Sequence, residues 1–135
     1  MNLHKKILVT GSSGFVGNYI MHTMAERHPT ATIIAFSRSG KIRCPDKVYK
    51  YPNIEFHKGD CLENDTFKDL IQDVDGVIHS VGTMTDSDKY KSMNRDTVVN
   101  MALALQNTVP DGAKNKNFVM ISKPPPFQPE TLSAK

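Results

Sequence analysis

At 135 residues the chain is the size of one domain, long enough to sandwich a single sheet between helices and too short to add a second, substrate-binding domain. Apolar residues are 39% and charged residues 23% of it, and no apolar run reaches the roughly 18 to 20 residues of a membrane helix, so no transmembrane segment is expected. The formal charge of +3, from 17 basic and 14 acidic residues, is too mild and dispersed for a nucleic-acid surface, and Cys44 and Cys61 stand in no CxxC or metal-ligand spacing, so two reduced thiols and no metal site are expected.

The opening MNLHKK has neither the apolar core of a secretory signal nor the length of an Arg-rich presequence. Lys6 to Thr10 then reads as a short buried strand that runs straight into three glycines, Gly11, Gly14 and Gly17. Gly11 lets the chain turn out of the strand, Gly14 lets backbone amides approach a pyrophosphate, and Gly17 lets the next helix lie against the strand. That helix, Phe15 to Arg27, points its amides and positive dipole end at the phosphates. Ser12 and Ser13 are expected nearest those phosphates, with Phe15 and Val16 entering the helix. Val16, Ile20 and Met24, with Phe15 and Tyr19 beside them, make its apolar face, and His28-Pro29 ends it.

Thr32 to Phe36 is a second buried strand, parallel to the first because a helical crossover joins them. An NAD-selective site carries an acid near this strand end to bind the adenosine ribose hydroxyls; the chain has Phe36-Ser37-Arg38-Ser39-Gly40-Lys41. Arg38 offers a planar cation to a 2′-phosphate, with Ser37, Ser39 and Lys41 adding hydrogen bonds or charge, which favours NADP(H) over NAD(H).

Pro45 and Pro52 bracket a loop; Asn53 to His57 is a third strand, and Leu62 to Gln72 a helix burying Leu62, Phe67, Leu70 and Ile71. Gly76 to Gly82 forms a fourth strand, in which His79 reads as a packed residue without chemistry. Asp86 to Asn107 holds a long helix with Tyr90, Met93, Val98, Met101, Ala102 and Leu105 as its core side. Asn117 to Ser122 is a fifth strand, and the tail from Lys123, with four prolines, is expected to be extended. The division is therefore a dinucleotide-binding domain over 1–122 and a proline-rich tail over 123–135.

The T-G-x-x-G-x-x-G pattern of Thr10, Gly11, Gly14 and Gly17 resembles the extended and atypical short-chain dehydrogenase/reductase (SDR) superfamily. The resemblance implies an α/β fold: a doubly wound parallel sheet of Rossmann type, about five strands in the order 3-2-1-4-5, truncated C-terminally relative to a full SDR. It places Asp60 and Cys61 at the adenine, where Asp60 accepts from the amino group and Cys61 donates its amide, although a plain turn cap by Asp60 reads equally well. It runs Ser80, Val81 and Gly82 beneath the nicotinamide ribose, and matches Asn94 and Asn100 to an N-x-x-x-x-x-N pattern whose first Asn holds the cofactor-site backbone. The stretches VIHSVG, FSRSGK and NFVMISK further resemble atypical mitochondrial SDR proteins, including the SDR-like member of the coenzyme Q biosynthetic complex and, more distantly, the NADPH-carrying accessory subunit of respiratory complex I.

Two departures matter. Catalytic members carry a Tyr and a Lys four residues later on the helix after the fifth strand. Here Ser122 matches the family's Ser or Thr partner, but Lys123-Pro124-Pro125-Pro126 follows, and Tyr90 is on another helix with Asn94 four residues on. The final strands and substrate region are also missing, so these residues alone are not expected to transfer a hydride. The first reading is thus a non-catalytic NADP(H)-binding subunit of a mitochondrial assembly, matrix-side and possibly inner-membrane associated, or cytoplasmic otherwise. The alternative is the N-terminal cofactor-binding part of an NAD(P)-dependent oxidoreductase or epimerase, and a third is an interaction module whose phosphate loop holds nothing. The fifth strand, at the sheet edge, is expected to be shielded by the tail or a partner.

Overall fold

The computed structural model describes residues 5–40, 50–82, 88–111 and 115–121. Five strands, β1 (Lys6–Thr10), β2 (Thr32–Ser37), β3 (Ile54–Lys58), β4 (Gly76–His79) and β5 (Asn117–Met120), form one sheet. All its pairs are parallel and its order is β3-β2-β1-β4-β5, the expected topology. The helices are α1 (Phe15–Arg27), α2 (Lys68–Asp73) and α3 (Thr97–Gln106), with a 3₁₀ turn at Asn64–Thr66 and a π-helical turn at Ser92–Asp96.

Strand alternation sends successive side chains to opposite faces, and both faces are covered. Leu8, Ile34, Phe36 and Val77 pack with Phe67, Ile71, Met101 and Leu105, which places α2 and α3 on one side. Val9, Ile33 and Ala35 pack with Met21 and Ala25 of α1 on the other. Fully burying an aliphatic or aromatic side chain of this size contributes about 1.5–3 kcal/mol, so these two layers hold the strand ends in register.

The inward face of α1 differs from the expected one. Gly17, Asn18, Met21 and Ala25 are buried, whereas Phe15, Val16 and Tyr19 are exposed. Gly17 sets this rotation, because the helix meets the β1 turn there and only a residue without a Cβ fits. The helix expected over Leu62 to Gln72 is broken, and Leu62 is exposed. Asp60 Oδ1 accepts from the Leu62 amide at 2.9 Å and the Thr66 hydroxyl donates to the Glu63 carbonyl at 2.7 Å, so local side-chain bonds replace the helical ladder.

β4 stops at His79 rather than Gly82 because its neighbour β1 ends at Thr10, the residue in register with His79. The expected helix start at Asp86 lies outside the described residues; Tyr90, expected in the core, is exposed. Val119, Met120 and Ile121 at the β5 edge are about half exposed. Ser122 and the tail expected to shield that edge lie outside the described residues.

Candidate functional site

The C-terminal ends of β1, β2, β3 and β4 open on a cleft of about 480 Å³, the place where open parallel sheets take ligands. Its middle is the turn after β1. Gly11 has φ +67°, and a Cβ there would lie 2.9 Å from Ser80 Oγ. A Cβ on Gly17 would come within 2.1 Å of the Gly11 carbonyl oxygen, so the turn and α1 interlock only if both are glycine. The Gly14 amide donates to the Gly11 carbonyl at 3.0 Å, closing the turn.

Gly14 is the N-cap of α1 with no side-chain cap and no acid in the first turn. The first-turn amides of a helix have no carbonyl of that helix to donate to. An anion is the ligand such an end accepts, through both the amides and the dipole.

Of the residues singled out in this loop, Gly11, Ser13 and Gly14 line the cleft. Ser12 does not: it is buried beneath the loop, its amide donating to the Phe36 carbonyl at 3.2 Å, so of the two serines expected nearest the phosphates only Ser13 lines the cleft. Phe15 and Val16 turn their side chains to solvent, and Gly17 serves packing. Thr10 is fully buried.

At one end of the cleft stand Ser37, Arg38 and Ser39. The Ser37 hydroxyl accepts from the Gly40 amide at 3.0 Å, fixing the turn that carries Arg38 and keeping its own proton to donate. Lys41 lies outside the described residues. Asp60 and Cys61 face the same end. Asp60 caps the following turn through Oδ1 as one of its two expected roles, while remaining on the cleft wall. Burial first, and the Asp60 carboxylate second, push the Cys61 thiol up to about 12, so it stays protonated and unreactive.

The other end is built by Ser80, Val81 and Gly82. Asn94 reaches this segment: a Cβ on Gly82 would lie 2.6 Å from Asn94 Oδ1. Beneath it runs a buried polar chain. The Ser80 amide donates to Thr10 Oγ1 at 3.2 Å, and Thr10 Oγ1 is 2.8 Å from His79 Nδ1. His79 Nε2 is 3.1 Å from Thr97 Oγ1, which donates to the Met93 carbonyl at 2.7 Å.

Because the Thr97 proton is committed to Met93, Thr97 can only accept from the ring. His79 therefore carries its proton on Nε2, and Nδ1 accepts from Thr10. Burial lowers the His79 pKa to about 4, so the ring is neutral at pH 7. The chain of bonds also accounts for the π-helical turn: the Thr97 amide donates to the Ser92 carbonyl five residues back, and the Thr97 hydroxyl takes the Met93 carbonyl that an α-helix would have given that amide.

Phe36, Gly59, Met93 and Thr97 also line the cleft and were not foreseen. Phe36 and Gly59 were legible in principle as the residues closing β2 and following β3. Met93 and Thr97 were not, since the π-helical turn that brings them over β4 leaves no mark in apolar periodicity.

The chain matches the model of the "NAD dependent epimerase/dehydratase family" over residues 7–122. Among curated proteins it is 32% identical over 97 residues to eugenol synthase 2 of Clarkia breweri, covering 67% of this chain and 30% of that one. It is 30% identical over 92 residues to an isoflavone reductase-like protein of Olea europaea, covering 64% and 29%. The chain thus spans about 30% of the length of these relatives.

Among solved structures, the bulky-bulky ketone specific alcohol dehydrogenase of Comamonas testosteroni superposes with a TM-score of 0.72 at 17% identity, over 97% of this chain and 59% of that one. The dTDP-glucose 4,6-dehydratase of Bacillus anthracis, solved with NAD, superposes at 0.70 with 22% identity, over 94% and 43%. At these identities the superpositions establish the shared fold.

Proposed function

Because this chain belongs to the NAD dependent epimerase/dehydratase family, which lies within the superfamily its glycine loop resembles, we propose that it is the cofactor-holding part of an oxidoreductase of that type and binds a nicotinamide dinucleotide, NADP(H) in preference to NAD(H). The observation that carries the reading is the uncapped N-terminus of α1 at Gly14, opening on a cleft that runs to Arg38 at one end and Ser80 to Gly82 at the other.

In this reading the loop from Ser13 to Gly17 takes the pyrophosphate, with the α1 amides donating to its oxygens. Arg38, Ser39 and Lys41 take the adenosine 2′-phosphate, since no acid stands at the end of β2 to compete for it. Asp60 and Cys61 border the purine, and Ser80 to Gly82 with Asn94 support the nicotinamide side. The bound dinucleotide supplies the hydride donor or acceptor. The chain's own residues position it: the neutral His79 chain holds Ser80 against the loop without placing a charge below the ring.

The sequence has no tyrosine after Tyr90, so we assign no proton-transfer residue to this chain. The family match and the short coverage of the reductase relatives favour this oxidoreductase reading over a non-catalytic role in a mitochondrial coenzyme Q or respiratory assembly. Titration by NADPH fluorescence tests it. NADPH binds the wild type more tightly than NADH, and Arg38→Ala weakens NADPH about tenfold or more while leaving NADH within about twofold, the loss of one charge-assisted contact. Equal affinity of wild type and Arg38→Ala for NADPH removes the NADP assignment; no binding of either dinucleotide removes the function.

A further inference from the structure

Asn100 lies on α3 and does not line the cleft, yet its side-chain amide donates to two acceptors in the segment that does. One is the Cys61 carbonyl at 2.6 Å; the other is Asn64 Oδ1 at 2.5 Å. The segment from Asp60 to Thr66 is otherwise knit by short-range bonds. The Asp60 amide donates to Thr66 Oγ1 at 2.9 Å, the Leu62 amide to Asp60 Oδ1 at 2.9 Å, and the Glu63 amide to the Asp60 carbonyl at 3.0 Å.

Such bonds fix the shape of the turn; its position on the protein is set by Cys61, buried in the core layer with Phe36 and Phe67, by the Gly59 amide donating to the Ser37 carbonyl at 3.0 Å, and by Asn100. The two bonds from Asn100 tie that turn to α3, which is itself packed on the sheet through Met101 and Leu105. Holding the Cys61 carbonyl fixes the peptide plane that follows Cys61 and keeps the Asp60–Cys61 wall facing Arg38 across the end of the cleft.

We propose that Asn100 is the positioning residue for the purine-facing wall of the cleft, acting through the Cys61 carbonyl and Asn64 Oδ1 on where Asp60 and Cys61 meet the adenosine end of a bound dinucleotide. The inference rests on the dinucleotide reading above and adds to it a residue outside the cleft that sets affinity for one end of the ligand. Asn100 reads the purine end only; the pyrophosphate is held by the α1 amides on the opposite face of the sheet, where Asn100 has no reach.

The test compares two probes of the separate ends, adenosine 2′,5′-bisphosphate and inorganic pyrophosphate, alongside NADPH, by calorimetry on the wild type, Asn100→Asp and Asn64→Ala. Asn100→Asp keeps the size and replaces the donor with an acceptor beside the Cys61 carbonyl. Its affinity for adenosine 2′,5′-bisphosphate and NADPH falls about tenfold or more, since both bonds of the Asn100 amide are lost, while its pyrophosphate affinity stays within about twofold. Asn64 is exposed, so Asn64→Ala folds even if Asn100→Asp does not; it loses about threefold on the adenosine probe alone, the loss of the weaker of two supports.

Equal losses on both probes show general loosening and overturn the inference, as does unchanged adenosine affinity in either folded variant. A wild type that binds pyrophosphate and NADPH while the variants match it on every probe overturns this inference alone. A wild type that binds none of the three overturns the cofactor reading and this one with it.

Discussion

Thr10 and His79 sit in register across β1 and β4, and the threonine hydroxyl meets the imidazole Nδ1 at 2.8 Å with both side chains out of contact with water. This bond places the floor of the cleft, because the same hydroxyl accepts from the Ser80 amide while the Ser80 hydroxyl donates to the Thr10 carbonyl at 2.6 Å. On the far side of the ring, Thr97 carries the chain of bonds to the π-helical turn. A ligand site and a helix on the next layer are therefore tied through one neutral histidine, stacked on Phe118 with ring centroids 5.9 Å apart.

Replacing Thr97 by valine keeps the volume and removes the hydroxyl, leaving His79 Nε2–H and the Met93 carbonyl without their shared partner. Each buried polar group so stranded costs about 1–3 kcal/mol. Urea unfolding is expected to show Thr97→Val destabilised by about 2–4 kcal/mol, and Thr97→Ser, which keeps the hydroxyl, by about half that or less. Equal stability of Thr97→Val and wild type contradicts the bonding pattern drawn here.

The same ring makes stability depend on pH. His79 has a folded pKa near 4 against 6.5 unfolded, so the unfolded chain takes up the proton first as pH falls. Its stabilising contribution is complete above pH 6.5, is lost between 6.5 and 4, and falls no further below 4. The full loss is about 3 kcal/mol. The measurement is a difference between two proteins: melting temperature between pH 7 and pH 4.5 drops less in His79→Gln than in wild type. Parallel drops in the two proteins remove His79 as the source.

Two glycines of one loop separate fold from ligand. Gly17→Ala drives a Cβ to 2.1 Å from the Gly11 carbonyl oxygen and 2.6 Å from Ser80 Oγ, and the Gly11 backbone can yield only by moving the turn. The expected cost is about 3 kcal/mol or more. In Gly14→Ala the nearest atom to the new Cβ is the Gly11 carbonyl oxygen at 3.2 Å, and the rest of its surroundings is open cleft. That variant is expected to melt within a few degrees of wild type, about 1 kcal/mol, yet to lose NADPH affinity, because in the proposed binding mode the methyl would occupy space the pyrophosphate needs. A Gly14→Ala protein with intact affinity places the phosphates elsewhere.

Cys61 lines the cleft and looks like a target for thiol reagents, but its burial and the neighbouring Asp60 keep it protonated well past neutral pH. In a Cys44→Ser background, an aromatic disulfide reagent at pH 8 is expected to leave the folded protein unmodified over minutes and to react with one thiol after denaturation. Rapid modification of the folded protein shows a more open cleft wall than the one described.

The sequence alone determined the strands and their parallel run, and the family resemblance of its glycine loop implied their order. The β-branched runs at 6–10, 32–36 and 76–79, separated by a helix-period segment and by glycine turns, allow little other than parallel strands with right-handed crossovers, and TGSSGFVG marked where the first crossover meets its ligand face. Tertiary structure decided what each of those residues is used for. Phe15, Val16 and Tyr19 form a helical stripe as apolar as any, and the helix turned Met21 and Ala25 inward instead because Gly17 has to pass the Gly11 carbonyl. Ser12 and Ser13 are neighbours of the same type; one is spent on Phe36 and the other faces the cleft. Met93 and Thr97 entered the site through a π-helical turn stabilised by His79, a residue 18 positions earlier. Local patterns report which faces can be buried, since burial scales with apolar area, but a hydrogen bond between residues far apart in the chain depends on distances that exist only after the layers have packed.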